Sequence, residues 1–247
     1  MPLTRREERA LRLQRAASRL CSPLWIPLLD LILVGLMRWR IEGRDELRRL
    51  YAELRRSRAP LLVCANHLTK LDSFAIARGL GSAGFFLRDF GALPWNAPER
   101  TLFAASPWQR ALAWLFKCVP VRRGGSRREV AGAIEKLRFL MQRGEAVLLF
   151  PEGGRSRSSR VEVESAAYGV GRLVGALPGC RVLCVYLRGR GQESWSDAPR
   201  RGERFALAAC VIEPKTEQRG LRASLDLSRQ IVTQLAELER RTLDARE

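Results

Sequence analysis

His67 is the only histidine among 247 residues, and Asp72 follows it by five positions in Asn66-His67-Leu68-Thr69-Lys70-Leu71-Asp72-Ser73. Imidazole chemistry near neutral pH therefore has one address in this chain. On a continuous helix that offset puts the two side chains on different faces. In a loop that turns into a helix, the carboxylate can fold back onto the ring, fix its tautomer and stabilise the imidazolium. The other ring nitrogen is then free to take a proton from a hydroxyl. If that hydroxyl belongs to a substrate, no serine or cysteine nucleophile is needed. The competing readings are a structural histidine and an Asp72 that only caps a helix.

The flanking residues set the frame. Leu61-Leu62-Val63-Cys64-Ala65 reads as a buried strand, and Phe74 to Leu80 as a helix ending near Gly79 or Gly81. The histidine thus sits where a strand hands over to a helix, a common place for functional loops. Glu145 to Phe150 is a second buried-strand run. It ends in Pro151-Glu152-Gly153-Gly154-Arg155-Ser156, which places charge and glycine beyond the carboxyl end of a strand, where open α/β sheets bind ligands. Between them, Val119-Pro120-Val121-Arg122-Arg123-Gly124-Gly125-Ser126 breaks into a basic glycine turn before a helix with Val130, Ile134, Leu137 and Met141 inward. Amides at a helix start with arginines beside them make an anion site.

The remaining elements alternate in the same way. Arg38–Glu42 reads as a strand, and Leu47, Leu50, Tyr51 and Leu54 mark the inner face of a helix. Phe85-Phe86-Leu87 reads as a short strand, and Leu93–Pro98 as a loop broken by two prolines. Trp108, Leu112, Leu115 and Phe116 share a helical face. Tyr168–Leu177 and residues 222–240 are further helices, and Arg181–Leu187 and Arg204–Ile212 are strands. This predicts an α/β layered fold, with a central mostly parallel or mixed sheet flanked by helices.

The net charge of +18 implies an anionic partner: nucleic acid, an anionic membrane surface or a phosphorylated substrate. Nucleic acid is the poorest fit, because the arginines are spread along the chain with no aromatic–basic interleaving and no binding motif. None of the six cysteines has metal-ligand spacing, and one histidine cannot complete a zinc site, so no metal is expected. The cysteines read as reduced thiols of a cytosolic compartment.

Residues 4–20 carry Arg5, Arg9, Arg12, Arg15 and Arg19 at helical spacing against Ala10, Leu13, Ala17 and Leu20, a basic amphipathic helix. Residues 24–37 are the most hydrophobic run. Fourteen helical residues reach about 21 Å against a bilayer core of about 30 Å, and Asp30 is costly at its centre. This predicts a segment that dips into one leaflet, with Trp25 and Trp39 at interfacial depth; a buried core helix is the alternative. No secretory signal is visible ahead of it. Residues 1–37 are thus expected to be membrane-docking helices and 38–247 the domain that carries the chemistry.

His67 with Asp72, then Arg123-Gly124, then Phe150-Pro151-Glu152-Gly153-Gly154-Arg155-Ser156, in that order, resemble the glycerolipid acyltransferase superfamily, typified by 1-acyl-glycerol-3-phosphate acyltransferase, over residues 38–190. The resemblance implies a membrane-associated O-acyltransferase of phospholipid biosynthesis, at the cytoplasmic face, peripheral or monotopic. It implies His67 as general base, Asp72 as its orienting partner, and Arg123, Gly124, Glu152, Gly153 and Arg155 as binding residues for the acceptor's phosphate. The donor would be acyl-coenzyme A or an acyl carrier protein thioester, with no cofactor, and the acceptor a lyso-lipid such as lysophosphatidic acid. The sequence departs from the family where Gly154 replaces the usual threonine and where Lys117 and Arg122 stand for the frequent glycine and aspartate. These departures bear on the acceptor and keep a phosphate-free lyso-lipid as the alternative.

Overall fold

The computed structural model describes residues 2–103, 106–122 and 124–244. Its helices are α1 (Arg5–Asp30), α2 (Arg44–Arg56), α3 (Asp72–Leu80), α4 (Ala83–Arg88), α5 (Pro107–Leu115), α6 (Arg127–Gln142), α7 (Tyr168–Gly175) and α8 (Gly220–Asp244). Six strands, β1 (Arg40–Ile41), β2 (Leu61–Ala65), β3 (Trp95–Asn96), β4 (Val147–Leu149), β5 (Arg181–Gly189) and β6 (Arg204–Ile212), form one sheet in the order β1-β6-β5-β2-β4-β3. Every pairing is parallel except β5 with β6, so the sheet is mixed, as expected.

Strands β2 and β5 are buried on both faces, which is why they read as unbroken apolar runs rather than alternating ones. Val63, Ala65, Leu183 and Val185 face a layer built from α2, α3 and α4. Leu62, Cys64, Val182 and Cys184 face α6, α7 and α8. The parallel strands β5, β2, β4 and β3 all end on the same side of the sheet, so the four loops that leave them gather at one edge.

Two local readings are corrected. Phe85-Phe86-Leu87 lies in α4, not in a strand, because Ser82 caps the segment by accepting from the Phe85 amide at 3.2 Å. Trp95-Asn96, read as loop, pairs with β4 as a short edge strand.

The N-terminal segment is one helix rather than two. It runs on from α1 through a π-helical turn at Leu31–Leu36, with Pro23 and Pro27 inside. A proline at 23 removes the amide that would bond the Arg19 carbonyl. Ser22 Oγ donates to that carbonyl instead, at 2.7 Å. The polar side chains on the buried face have a second task. Gln14 Nε2 donates to the Trp114 carbonyl at 2.8 Å and Ser18 Oγ to that of Leu115, satisfying the open C-terminal end of α5. Residues 5–36 are long and apolar enough to cross a membrane by length and composition, and only 17% of the most apolar window is buried, unlike a core helix.

Candidate active site

At the end of β2 the chain leaves the sheet under tight control. The Asn66 side chain extends the ladder sideways, accepting from the Leu187 amide at 2.8 Å and donating to the Leu187 carbonyl at 3.0 Å. The next residue, His67, is fixed by its backbone, since its carbonyl accepts from the Ser156 amide at 2.9 Å. The loops after β2 and β4 are thereby stitched together at the histidine.

Asp72 is the first residue of α3 and is only 5% exposed. Its carboxylate reaches backward. Oδ2 accepts from the Leu68 amide at 2.6 Å and the Thr69 amide at 2.7 Å, and lies 3.0 Å from His67 Nδ1; Oδ1 accepts from Thr69 Oγ1 at 2.6 Å. An N-cap accepts from amides that follow it, so these bonds do not fit the cap reading. The fold closes a loop of five residues around one carboxylate and holds the ring against it. Phe150, at the end of β4, stacks on the other side of the imidazole, 4.0 Å between centroids and 13° between planes. Among the described residues no hydrogen bond engages His67 Nε2. The Nδ1 bond leaves that nitrogen able to accept a proton.

His67 lines a cleft of about 210 Å³ together with Lys70, Ser73, Asn96, Glu99, Phe150 and Arg155. Lys70 and Arg155 bring positive charge to it. An apolar cavity of about 70 Å³ adjoins, between α1 and the α3–α4 layer, walled by Trp25, Ile26, Leu33, Phe74, Phe86 and Phe116. Ser73, Asn96 and Leu148 belong to both walls, so the cavity opens beside the histidine.

Of the residues singled out from sequence, His67 and Arg155 line this cleft, and Asp72 is buried behind the ring at Nδ1. Gly153, at φ 70°, turns the chain between β4 and Arg155 and does not line the cleft. Glu152 does not line it either. Burial pushes its carboxyl up to about 7 against the opposing pull of the Glu162 and His67 backbone amides, with the Glu239 and Glu162 charges adding to the rise, and its Oε1 is buried without a partner. Arg123 lies outside the described residues. Gly124, at φ 67°, borders open space and does not line the cleft. Two of the amides at the start of α6, read as an anion site, are engaged by the helix's own capping box: Ser126 Oγ accepts from the Glu129 amide at 3.3 Å and the Ser126 amide donates to Glu129 Oε2 at 2.9 Å.

The Lys117 departure has a conformational reason. Its φ is 56°, the left-handed region that glycine occupies most cheaply. Here the lysine accepts that backbone and its side chain is 0% exposed. Nζ donates to the Phe90 carbonyl at 2.9 Å and pairs with Glu145 at 2.8 Å, which in turn accepts from Trp95 Nε1 at 2.8 Å. That cluster fixes the segment leading to Asn96 and Glu99, one wall of the cleft.

Two cleft features, the Phe150 stack and Lys70, carry no local sequence signal, and neither does the loop after β5 that contacts the cleft's cations from outside its lining. From that loop Asp197 bonds both cations, with Oδ2 2.8 Å from Lys70 Nζ and Oδ1 2.9 Å from Arg155 Nη1. Among the described residues no cluster of histidine, cysteine, aspartate and glutamate could hold a metal ion.

A lone imidazole aimed by a buried carboxylate, with basic groups and an apolar cavity beside it, is the apparatus of a group transferase acting on an amphipathic substrate. The family model described as Acyltransferase matches residues 38–188. The chain belongs to that family, within the glycerolipid acyltransferase superfamily, whose general activity is acyl transfer on lipids. No curated protein matches the chain.

Proposed function

We propose that the protein moves a fatty acyl group from a thioester, acyl-coenzyme A or acyl carrier protein, to the hydroxyl of a lysophospholipid, with 1-acyl-glycerol 3-phosphate as the best-fitting acceptor. His67 Nε2 removes the hydroxyl proton as the oxygen attacks the thioester carbonyl. Asp72 stabilises the imidazolium through Nδ1. Collapse of the adduct expels the thiolate, which takes the proton back from His67, leaving an ester and a free thiol. General base catalysis of this kind contributes about 10²- to 10⁴-fold. Lys70 and Arg155 face the acceptor's phosphate, and the apolar cavity takes acyl carbons. Glu152 and Gly153 act through the turn that presents Arg155.

The bilayer supplies the lyso-lipid acceptor. Leu20, Leu24, Leu28 and Leu31 form an exposed stripe along α1, with Leu20 81% exposed, and the six arginines of residues 1–20 precede it. An apolar stripe next to a basic segment suits the anionic, cytoplasmic face of a membrane, each cation adding about 1 kcal/mol of attraction.

The observation that carries this reading is the Asp72-held imidazole lining a cleft with two cations and an adjoining apolar cavity. The experiment is thiol release by the purified protein from acyl-coenzyme A with a panel of lyso-lipids, beside His67→Ala. Product with lysophosphatidic acid, lost in the variant, is the expected result; turnover near wild type in His67→Ala refutes the base. The Gly154 and Arg122 departures keep the same chemistry on a phosphate-free acceptor, such as an amino-acid lipid, as the alternative. The panel decides between the two.

A further inference from the structure

The loop between β5 and β6 is built to hold Asp197 in one place. Arg188 anchors its base, donating to the carbonyls of Gln192 and Glu193 at 3.0 Å each and of Ser159 at 2.9 Å. At its far end the loop pairs with the His67 loop: the Ser196 amide donates to the Leu68 carbonyl at 3.1 Å, and the Lys70 amide to the Asp197 carbonyl at 3.1 Å. Trp195 lies under the Arg155 guanidinium, 4.9 Å from its ring centroid. Arg155 also donates to the Ser196 carbonyl at 3.1 Å.

The carboxylate at the end of this scaffold spans the two cleft cations, one oxygen to each. Two oxygens of a phosphate monoester would take the same pair in the same way. Asp197 is itself 68% exposed, so its ion pairs are weak and cheap to exchange. A phosphate monoester carries close to two charges near neutral pH, a carboxylate one.

We propose that Asp197 is an internal stand-in for the acceptor's phosphate. It fills the Lys70–Arg155 pair in the empty enzyme and gives way to the headgroup. The proposal rests on the phosphate-acceptor reading and adds a filter to it. A neutral or zwitterionic headgroup gains nothing by displacing a carboxylate already in place, whereas a dianion does. Asp197 also keeps two like charges from facing one another unscreened, so the cation pair is preformed when the lipid arrives.

The test is steady-state kinetics with 1-acyl-glycerol 3-phosphate in mixed micelles for wild type, Asp197→Asn and Asp197→Glu, with calorimetric binding of glycerol 3-phosphate alongside. Removing the competing charge while keeping the shape should lower the acceptor KM about three- to tenfold, the scale of two exposed ion pairs. Glycerol 3-phosphate should bind tighter by the same factor, and Asp197→Glu should return toward wild type. A residue that only braces the loop predicts the opposite, a raised KM and weaker binding in Asp197→Asn. That result, or no change, overturns the stand-in while leaving the phosphate acceptor intact if wild type still requires the phosphate. If wild type uses phosphate-free lyso-lipids equally and neither protein binds glycerol 3-phosphate, the acceptor reading fails and the stand-in falls with it.

Discussion

Asp72 has two separable jobs, and a pair of substitutions distinguishes them. In the proposed reaction one job is electrostatic: its charge faces the imidazolium that would form at His67. Two unit charges about 4 Å apart at an effective dielectric of 20 attract by about 4 kcal/mol. The ion pair here is closer, at 3.0 Å between Nδ1 and Oδ2, but the transition state carries only part of the charge. Asp72→Asn should therefore slow acyl transfer by about 10²- to 10³-fold, roughly 3 to 4 kcal/mol of barrier. The other job is structural. The amide of asparagine keeps one oxygen for the Leu68 and Thr69 amides and can donate to Thr69 Oγ1, so the loop should survive. Asp72→Ala leaves both amides and the hydroxyl without their partner in a buried site, at about 1–3 kcal/mol for each unsatisfied group. Asp72→Asn should then melt close to wild type, and Asp72→Ala several degrees lower. Thiol release from acyl-coenzyme A gives the rate, and thermal or denaturant unfolding gives the stability. Asp72→Asn within tenfold of wild type would refute the electrostatic role. Equal melting temperatures for Asp72→Ala and wild type would refute the loop-closing role.

Two further outcomes concern buried charge. Lys117→Met should destabilise by about 2–4 kcal/mol in denaturant titration, because it leaves the Phe90 and Leu93 carbonyls without their donor and takes one of two cations from the buried Glu145, Arg15 remaining; a cost under about 1 kcal/mol would refute the role of the cluster. For Glu152, burial lifts the carboxyl from 4.5 to about 7. The folded protein then keeps a proton that the unfolded chain releases above its ordinary pKa, so this group lowers stability as pH rises through that window and no further above it. Its ceiling is about 3 kcal/mol at 1.36 kcal/mol per pKa unit. Glu152→Gln should flatten the stability profile between pH 5 and 8, and an unchanged slope in matched unfolding titrations would contradict the assignment.

The sequence was most legible where one contiguous stretch sets both structure and chemistry. Residues 61–65 are apolar throughout because β2 is buried on both faces, and the His67–Asp72 contact closes inside the loop that follows. Legibility fell where short runs carried no period. Three apolar residues at 85–87 suit a strand or a helical turn equally, and the cap at Ser82 decided it. It fell too where a side chain replaces a lost backbone bond, as Ser22 does above Pro23, so that one helix forms where two segments were expected.

The cation side of the cleft was least legible, and the topology says why. His67, Arg155 and Asp197 each follow a different parallel strand, β2, β4 and β5, and these are neighbours in the sheet although distant in the chain. Lys70 and its carboxylate are 127 positions apart. No local pattern encodes such a contact, because what brings it about is strand order. The same argument indicates where acceptor choice resides. In the proposed reaction the base and its partner come from one loop, His67 to Asp72. The charge proposed to face the headgroup is a difference between groups on separate loops, so a single substitution at Asp197 is expected to alter it without touching the histidine.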